Sequence, residues 1–425
     1  MFHIVLCNRC MGIIMSLLIK PCSLNGKVII PPSKSLSHRA IICASLSMEG
    51  ESKIDNIIFS DDIRATIQGM KVLGADIKEK DNFILVKRTN IISSSIIDCN
   101  ESGSTLRFLI PLSLVLTNEC TFTGSGRLID RPLDVYYEIF NKFNIEYRTS
   151  EGRLPLLIRG NLPNGTYKIP GNVSSQFITG LFFALPLLEG DSEISIAGAL
   201  ESKGYIDLTS DIMKRYNIHI EKIDENNYFI KGRQKYRAQD YSVEGDFSQA
   251  AFFLAANALG SSIECLGLNY DSLQGDKEIL NIIEKYSSEQ REVTIDASQI
   301  PDLIPAVSVI AALKENCITN IVNAGRLRLK ESDRLNAIAS EMNKLGALIQ
   351  ETEDGLIIKG RKSLYGATVN SRNDHRIAMA MAIAATKCEA PIVLEGFQSV
   401  KKSYPGFWDD YRSLGGTAYE LNDRK

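Results

Sequence analysis

Eight cations in this 425-residue chain stand beside hydroxyls or carboxylates: Lys34, Arg39, Arg107, Arg131, Lys330, Arg334, Arg376 and Lys402. The neutral donors near them are Ser35, Ser104, Ser174, Ser175, Gln176, Ser202 and Tyr205. The carboxylates are Asp302 in "IPDLIP", Glu331 and Asp333 in "KESDR", and Asp374 in "NDHR". Arginines grip phosphate and carboxylate through paired N–H bonds, and a carboxylate or lysine among them can move protons. Such a set suits a transferase acting on phosphorylated or carboxylated metabolites. Taken singly, each residue has a plainer role. Ser174, Ser175, Asp302 and Asp374 are all acceptable helix N-caps. Glu331, Asp333 and Arg334 could form a solvated helix start, and Arg39 and Arg107 could snorkel to the surface.

Position separates the two readings. Six segments share one design, a Gly, Pro or polar entry followed by a long apolar run: "PPSKSLSHRAIICASL", "NESGSTLRFLIPLSLVL", "GNVSSQFITGLFFALPLL", "GDFSQAAFFLAANAL", "IPDLIPAVSVIAAL" and "NDHRIAMAMAIAAT". Their starts recur roughly every 70 residues, with one interval of about 55, as repeated supersecondary units do. Each run is apolar nearly all round, which predicts a buried helix. An amphipathic helix follows in most units, as in "SDDIRATIQGMKVLGADI" and "ESDRLNAIASEMNKLGALI", and then a hairpin such as "EGRLPLLIRG" or "EDGLIIKG". The expected unit is buried helix, strand, exposed helix and hairpin, six times over, in two domains of three. The polar groups sit at the N-terminal ends of the buried helices. Free N–H groups and the helix dipole attract anions there. Parallel helices would open these ends onto one cleft between the domains.

Bulk properties exclude other roles. The net charge of −3 leaves no footprint for nucleic acid or a membrane surface, and 44% hydrophobic residues is ordinary for a globular protein. Nine cysteines, mostly in apolar runs, fit a reducing compartment, and four scattered histidines make no ligand cluster. Cys7 and Cys10 form a C-x-x-C with no second pair at zinc spacing, so no metal is expected. The apolar "MFHIVLCNRCMGIIMSLLIK" carries Arg9 and no cleavage site, which favours Met11 or Met15 as the start and a cytoplasmic protein. No nucleotide-binding glycine motif or G-x-S-x-G elbow occurs.

The motifs "PPSKSLSHR", "ESGSTLRF", "GSGRLIDRPLD", "VSSQF", "ESKGYIDLT", "VEGDFSQAAFFLAA", "IPDLIP", "RLKESDR", "NDHRIAMA" and "KKSYPGFW" occur in the order found in the EPSP synthase (3-phosphoshikimate 1-carboxyvinyltransferase) family. The chain resembles that family from about Leu18 to about Leu414. The resemblance implies an α/β fold, a two-domain inside-out α/β barrel with three β-α-β-α-β-β units per domain. It divides the chain into 1–31 plus 244–425, and 32–243, with crossings near Pro31 and Val243. It implies transfer of the enolpyruvyl group of phosphoenolpyruvate to the 5-hydroxyl of shikimate 3-phosphate by a monomer, with no cofactor, no metal and no covalent intermediate.

Carried over by motif, Ser174, Ser175 and Ser202 would hold the shikimate phosphate. Ser35, Arg39, Gln176 and Tyr205 would hold the ring and carboxylate, with Asp302 and Lys330 on the same substrate. Gly103, Gln176, Arg131, Arg334, Arg376 and Lys402 would take phosphoenolpyruvate, and Lys34 would touch both. Asp302 would be the base; Lys34 and Glu331 would protonate the enol carbon or the leaving group, in an order the motifs leave open. Two positions depart from some relatives. Glu101 stands where many members have an Asn and Arg326 where some do, and Glu101 is expected to point away from bound phosphate or act through its backbone. The alternatives are UDP-N-acetylglucosamine 1-carboxyvinyltransferase and a non-catalytic anion-binding relative. The first has a reactive cysteine where this chain has Ser125; the second has no use for Lys34, Asp302 and Glu331 together.

Overall fold

The computed structural model describes residues 16–89 and 91–421. His3, Cys7, Cys10, Met11 and Met15 lie outside the described residues. Among the described residues, twelve α-helices alternate in character. They are α1 (Lys34–Leu46), α2 (Asp61–Val72), α3 (Gly103–Leu116), α4 (Asp134–Phe143), α5 (Ser175–Ala184), α6 (Lys203–Arg215), α7 (Phe247–Ala258), α8 (Ile279–Ser287), α9 (Ile304–Leu313), α10 (Arg334–Lys344), α11 (His375–Ala385) and α12 (Phe407–Ser413). The odd-numbered helices are buried almost all round, as their continuous apolar runs require. The even-numbered ones bury one stripe and expose the other.

Sheets complete the units. In the second, Ile96–Asp98 lies parallel to Glu119–Thr123, which pairs antiparallel with Arg153–Arg159, and Glu146–Ser150 closes the edge. Four other four-stranded sheets repeat this order. One unit departs from the expected six. After α8 the chain enters Glu292–Asp296, the first strand of the next sheet, with no hairpin between. That unit therefore keeps only Asn25–Ile29 paired parallel with Ser262–Leu266. A second departure is that Ser16–Lys20 lies between Ile392–Glu395 and Thr417–Leu421, antiparallel to both.

Two hydrophobic cores result. One gathers Leu17–Ile30 with residues from Phe247 to Ala418, the other residues from Leu36 to Val243. Each fully buried Leu, Ile or Phe contributes roughly 1.5–3 kcal/mol by leaving water. The chain passes between the cores twice, side by side: Ser33 N–H donates to Glu244 O at 2.8 Å and Asp246 N–H to Pro31 O at 2.9 Å. In the second core, α3 and α5 approach closely at Gly180. A Cβ there would lie 2.3 Å from Arg107 O and 2.5 Å from the Tyr136 hydroxyl.

Candidate active site

Five of the six buried helices, or the loops just before them, open onto one cavity of about 210 Å³. Lys34 and Ser35 come from α1, Gly103 and Ser104 from α3, and Ser174, Ser175 and Gln176 from the start of α5. Asp302 comes from the loop before α9, and His375 and Arg376 from α11. The start of α7 lies behind this wall, where Asp246 Oδ2 accepts from Lys34 N–H at 3.0 Å. Eight cations and four carboxylates line the cavity, so a chain of negative net charge concentrates positive charge where anions would enter.

The wall from the second core carries the hydroxyls. Ser174 caps α5, accepting from Gln176 N–H at 3.3 Å. The Gln176 amide donates to Ser104 Oγ at 2.9 Å and accepts from Arg107 at 3.1 Å. Gly103 makes room for this arrangement, since a Cβ would sit 2.6 Å from a terminal nitrogen of Arg131 and 2.9 Å from one of Arg107. Arg39 and Arg107 do not snorkel. Both are buried, with Arg39 bonded to Thr209 Oγ1 at 2.8 Å and to Ser35 O at 2.7 Å. Lys34 Nζ meets Asp62 at 2.7 Å. Ser202 begins α6 with φ of 54°, a left-handed conformation strained for serine, and its hydroxyl accepts from Arg326 at 2.6 Å.

The facing wall carries the charges. Arg334, 1% exposed, spans Asp302 at 2.7 Å, Glu331 at 2.5 Å and Asp374 at 2.8 Å. Asp302 also meets Arg376 at 2.9 Å and Lys330 at 3.7 Å, while Glu331 meets Arg131 across the cleft at 3.5 Å. Asp302 is no N-cap, because α9 starts two residues later with Leu303 at its cap position. Arg334 is buried rather than solvated, and Glu331 beside it is half-buried. Asp333 caps α10, and Asp374 both caps α11 and holds Arg334. Burial pushes the Asp302 and Glu331 carboxyls up. The arginines outweigh it, Arg376 leading for Asp302 and Arg334 for Glu331, and hold both well below the usual range. Burial brings Lys330 down to about 8 and Arg107 to about 9.

Two expectations need correction or completion. Glu101 does not line the cavity: its carboxylate takes Lys402 Nζ at 2.9 Å and Asn373 Nδ2 at 3.2 Å, tying the two cores together. Lys402, so held, does not line the cavity. Arg326 does line it and reaches Glu201 at 2.7 Å, so the residue replacing Asn lies beside the serines. Sequence reasoning missed Asp62, the partner of Lys34, and His375, whose buried ring faces the cavity with neither nitrogen hydrogen-bonded and Nδ1 3.9 Å from Asp374. His375 follows Asp374 in the quoted "NDHR"; Asp62 had no signal beyond an ordinary helix start.

Fold and cleft together define an α/β protein of two cores with a cation-lined cavity between them. Solved EPSP synthase structures from Acinetobacter baumannii superpose with TM-scores of 0.78 and 0.77 at 23% and 22% identity, covering 96% of this chain and all of theirs. The model for EPSP synthase (3-phosphoshikimate 1-carboxyvinyltransferase) matches residues 19–411. Curated 3-phosphoshikimate 1-carboxyvinyltransferases from Clostridium novyi and Clostridium acetobutylicum are 51% and 53% identical, covering 93% and 95% of this chain and 96% and 98% of their own. The chain belongs to the EPSP synthase family.

Proposed function

We propose that this cleft transfers the enolpyruvyl group of phosphoenolpyruvate to the 5-hydroxyl of shikimate 3-phosphate, releasing phosphate, as a step of aromatic amino-acid biosynthesis. Ser174, Ser175 and Ser202 take the shikimate phosphate. Ser35, Arg39, Gln176, Tyr205 and Lys330 hold the rest of that substrate. Arg131, Arg334 and Arg376 clamp phosphoenolpyruvate over Gly103, and Lys402 joins them on leaving Glu101. The observation that carries this assignment is the convergence of Asp302 and Glu331 on Arg334, in a cavity whose opposite wall is lined with serine hydroxyls.

Addition to the enol requires a deprotonated hydroxyl at one end and a proton for the methylene at the other, with charge neutralised between. Asp302 takes the hydroxyl proton. Lys34 and Glu331 supply protons to the methylene and the departing phosphate. Residues 1–31 with 244–425 form one domain and 32–243 the other; the two separate cores support this over the described residues. The protein works as a monomer in the cytoplasm. Seven free cysteines among the described residues, five of them buried, support a reducing compartment. Among the described residues, no helix is long and apolar enough to cross a membrane.

A phosphate-release assay with phosphoenolpyruvate and shikimate 3-phosphate tests the function. Release should require that acceptor and should not occur with UDP-N-acetylglucosamine. Release with the UDP-sugar alone would overturn the assignment. Light scattering should return a mass near the chain's 47.1 kDa.

A further inference from the structure

One phenol faces two carboxylates. The Tyr205 hydroxyl, on α6, lies 3.1 Å from Asp276 Oδ2 and 3.3 Å from Asp302 Oδ2, and both acids belong to the other half of the molecule. A phenol has one proton, so it can donate to only one of these oxygens at a time. The other contact sets lone pair against lone pair unless that carboxyl carries a proton. The trio is therefore built to hold one more proton than the resting carboxylates do. Asp276 is 4% exposed, its Oδ2 also accepts from the Ser248 hydroxyl, and its Oδ1 is buried with no partner.

We propose that Asp276 receives, through the Tyr205 hydroxyl, the proton that Asp302 removes from the acceptor alcohol. This rests on the reading of Asp302 as the base. The alcohol O–H bond breaks as its oxygen bonds to the enol carbon, the C=C π pair takes a proton at the methylene from Lys34 or Glu331, and the alcohol proton passes to Asp302 Oδ2. Asp302 hands it to the Tyr205 oxygen while the phenol's own proton moves to Asp276 Oδ2, leaving Asp302 ionised and Asp276 neutral. Reversing the transfer during elimination returns the proton through Asp302 to whichever of Lys34 and Glu331 has protonated the departing phosphate, while the methyl group gives its extra proton back to the other, so no outside acid or oxidant is needed. Asp276 touches no reacting atom in this scheme; it is a positioning residue that acts through Tyr205.

Electrostatics explain why the proton should move on. Arg376, Lys330 and Arg334 surround Asp302 and make it a poor place to keep a proton. Asp276 faces Tyr205 from α6, Ser248 and Asp246 from the start of α7, Asp302 from the loop before α9, and Arg376 from α11. Burial and the Asp302 and Asp246 charges raise it, Arg376 and Ser248 lower it, and it settles at about 6. Asp276 accepts a proton only when ionised, so turnover should fall as pH drops through about 6.

The test is the pH dependence of kcat for the wild type, Asp276→Asn, Tyr205→Phe and the double variant, by phosphate release from the two substrates. Asp276→Asn should lower kcat about tenfold or more, the scale of a lost proton acceptor, and abolish the limb near 6 while both KM values hold. Tyr205→Phe should remove the same limb, and the double variant should be no slower than the slower single one. A limb and kcat unchanged in Asp276→Asn, or single effects that multiply in the double, would overturn the relay. Thermal melts check folding, and Tyr205→Phe carries the test if Asp276→Asn does not fold. A wild type with no activity on this substrate pair would instead sink the proposed function. A dead Asp302→Ala beside an unimpaired Asp276→Asn would sink the relay alone.

Discussion

Arg334 holds three carboxylates from a position with almost no access to water. Replacing it with Met would leave buried Asp374 and half-buried Asp302 and Glu331 beside a missing charge. A loss of about 3–5 kcal/mol is expected, measurable by denaturant unfolding. Asp302→Ala should still bind both substrates in calorimetry yet lose turnover by on the order of 10²–10⁴-fold, the range for a lost acid–base group. Unchanged turnover would remove Asp302 as the base. Lys330, brought down to about 8, grips an anion only while protonated, so affinity for shikimate 3-phosphate should weaken as pH rises through that value. Lys330→Arg, whose guanidinium stays charged, should flatten this dependence. At this scale the sequence marked the helix-end cations and hydroxyls, because each sits at a recognisable entry to an apolar run. It could not mark Lys34 with Asp62 or Tyr205 with Asp276, since a side-chain contact between distant segments leaves no local pattern.

Two glycines in neighbouring helices separate function from stability. At Gly103, on the first turn of α3, an added methyl would meet the movable ends of Arg131 and Arg107. Gly103→Ala should therefore leave the melting temperature nearly unchanged and raise KM for phosphoenolpyruvate. At Gly180, in α5, the same methyl would meet the fixed carbonyl of Arg107. Gly180→Ala should destabilise by about 1–3 kcal/mol, as overpacking does, with a smaller effect on KM. The six buried helices were legible because their apolar runs admit no exposed face. The missing hairpin after α8 was not: "ILNIIEKYSSEQREVTIDAS" joins an amphipathic helix to a strand as any unit does, and only the sheet to which Glu292–Asp296 pairs reveals the skip. The insertion of Ser16–Lys20 into the last sheet likewise depends on pairing nearly 400 residues away.

Across the whole molecule, the halves are joined by two adjacent chain crossings and by side-chain bridges at Lys402–Glu101, Arg131–Glu331 and Arg326–Glu201. Glu101→Gln removes the charge from the first bridge. It should enlarge the substrate-free radius of gyration in X-ray scattering, with both substrates restoring the compact form. An unchanged radius would mean that the backbone crossings and the two remaining bridges fix the spacing without Glu101. The sheets impose a further asymmetry, in time rather than space. All three sheets of the half running from Leu36 to Val243 draw their strands from residues 52–242. The other half must keep Ser16–Lys20 and Asn25–Ile29 until partners as late as Thr417–Leu421 exist. On the ribosome, the inserted half can bury its core while the strands that preceded it are still waiting. Ser16–Lys20, made early, is thus among the last strands to be paired, and the half that supplies the serine wall is the one able to fold first.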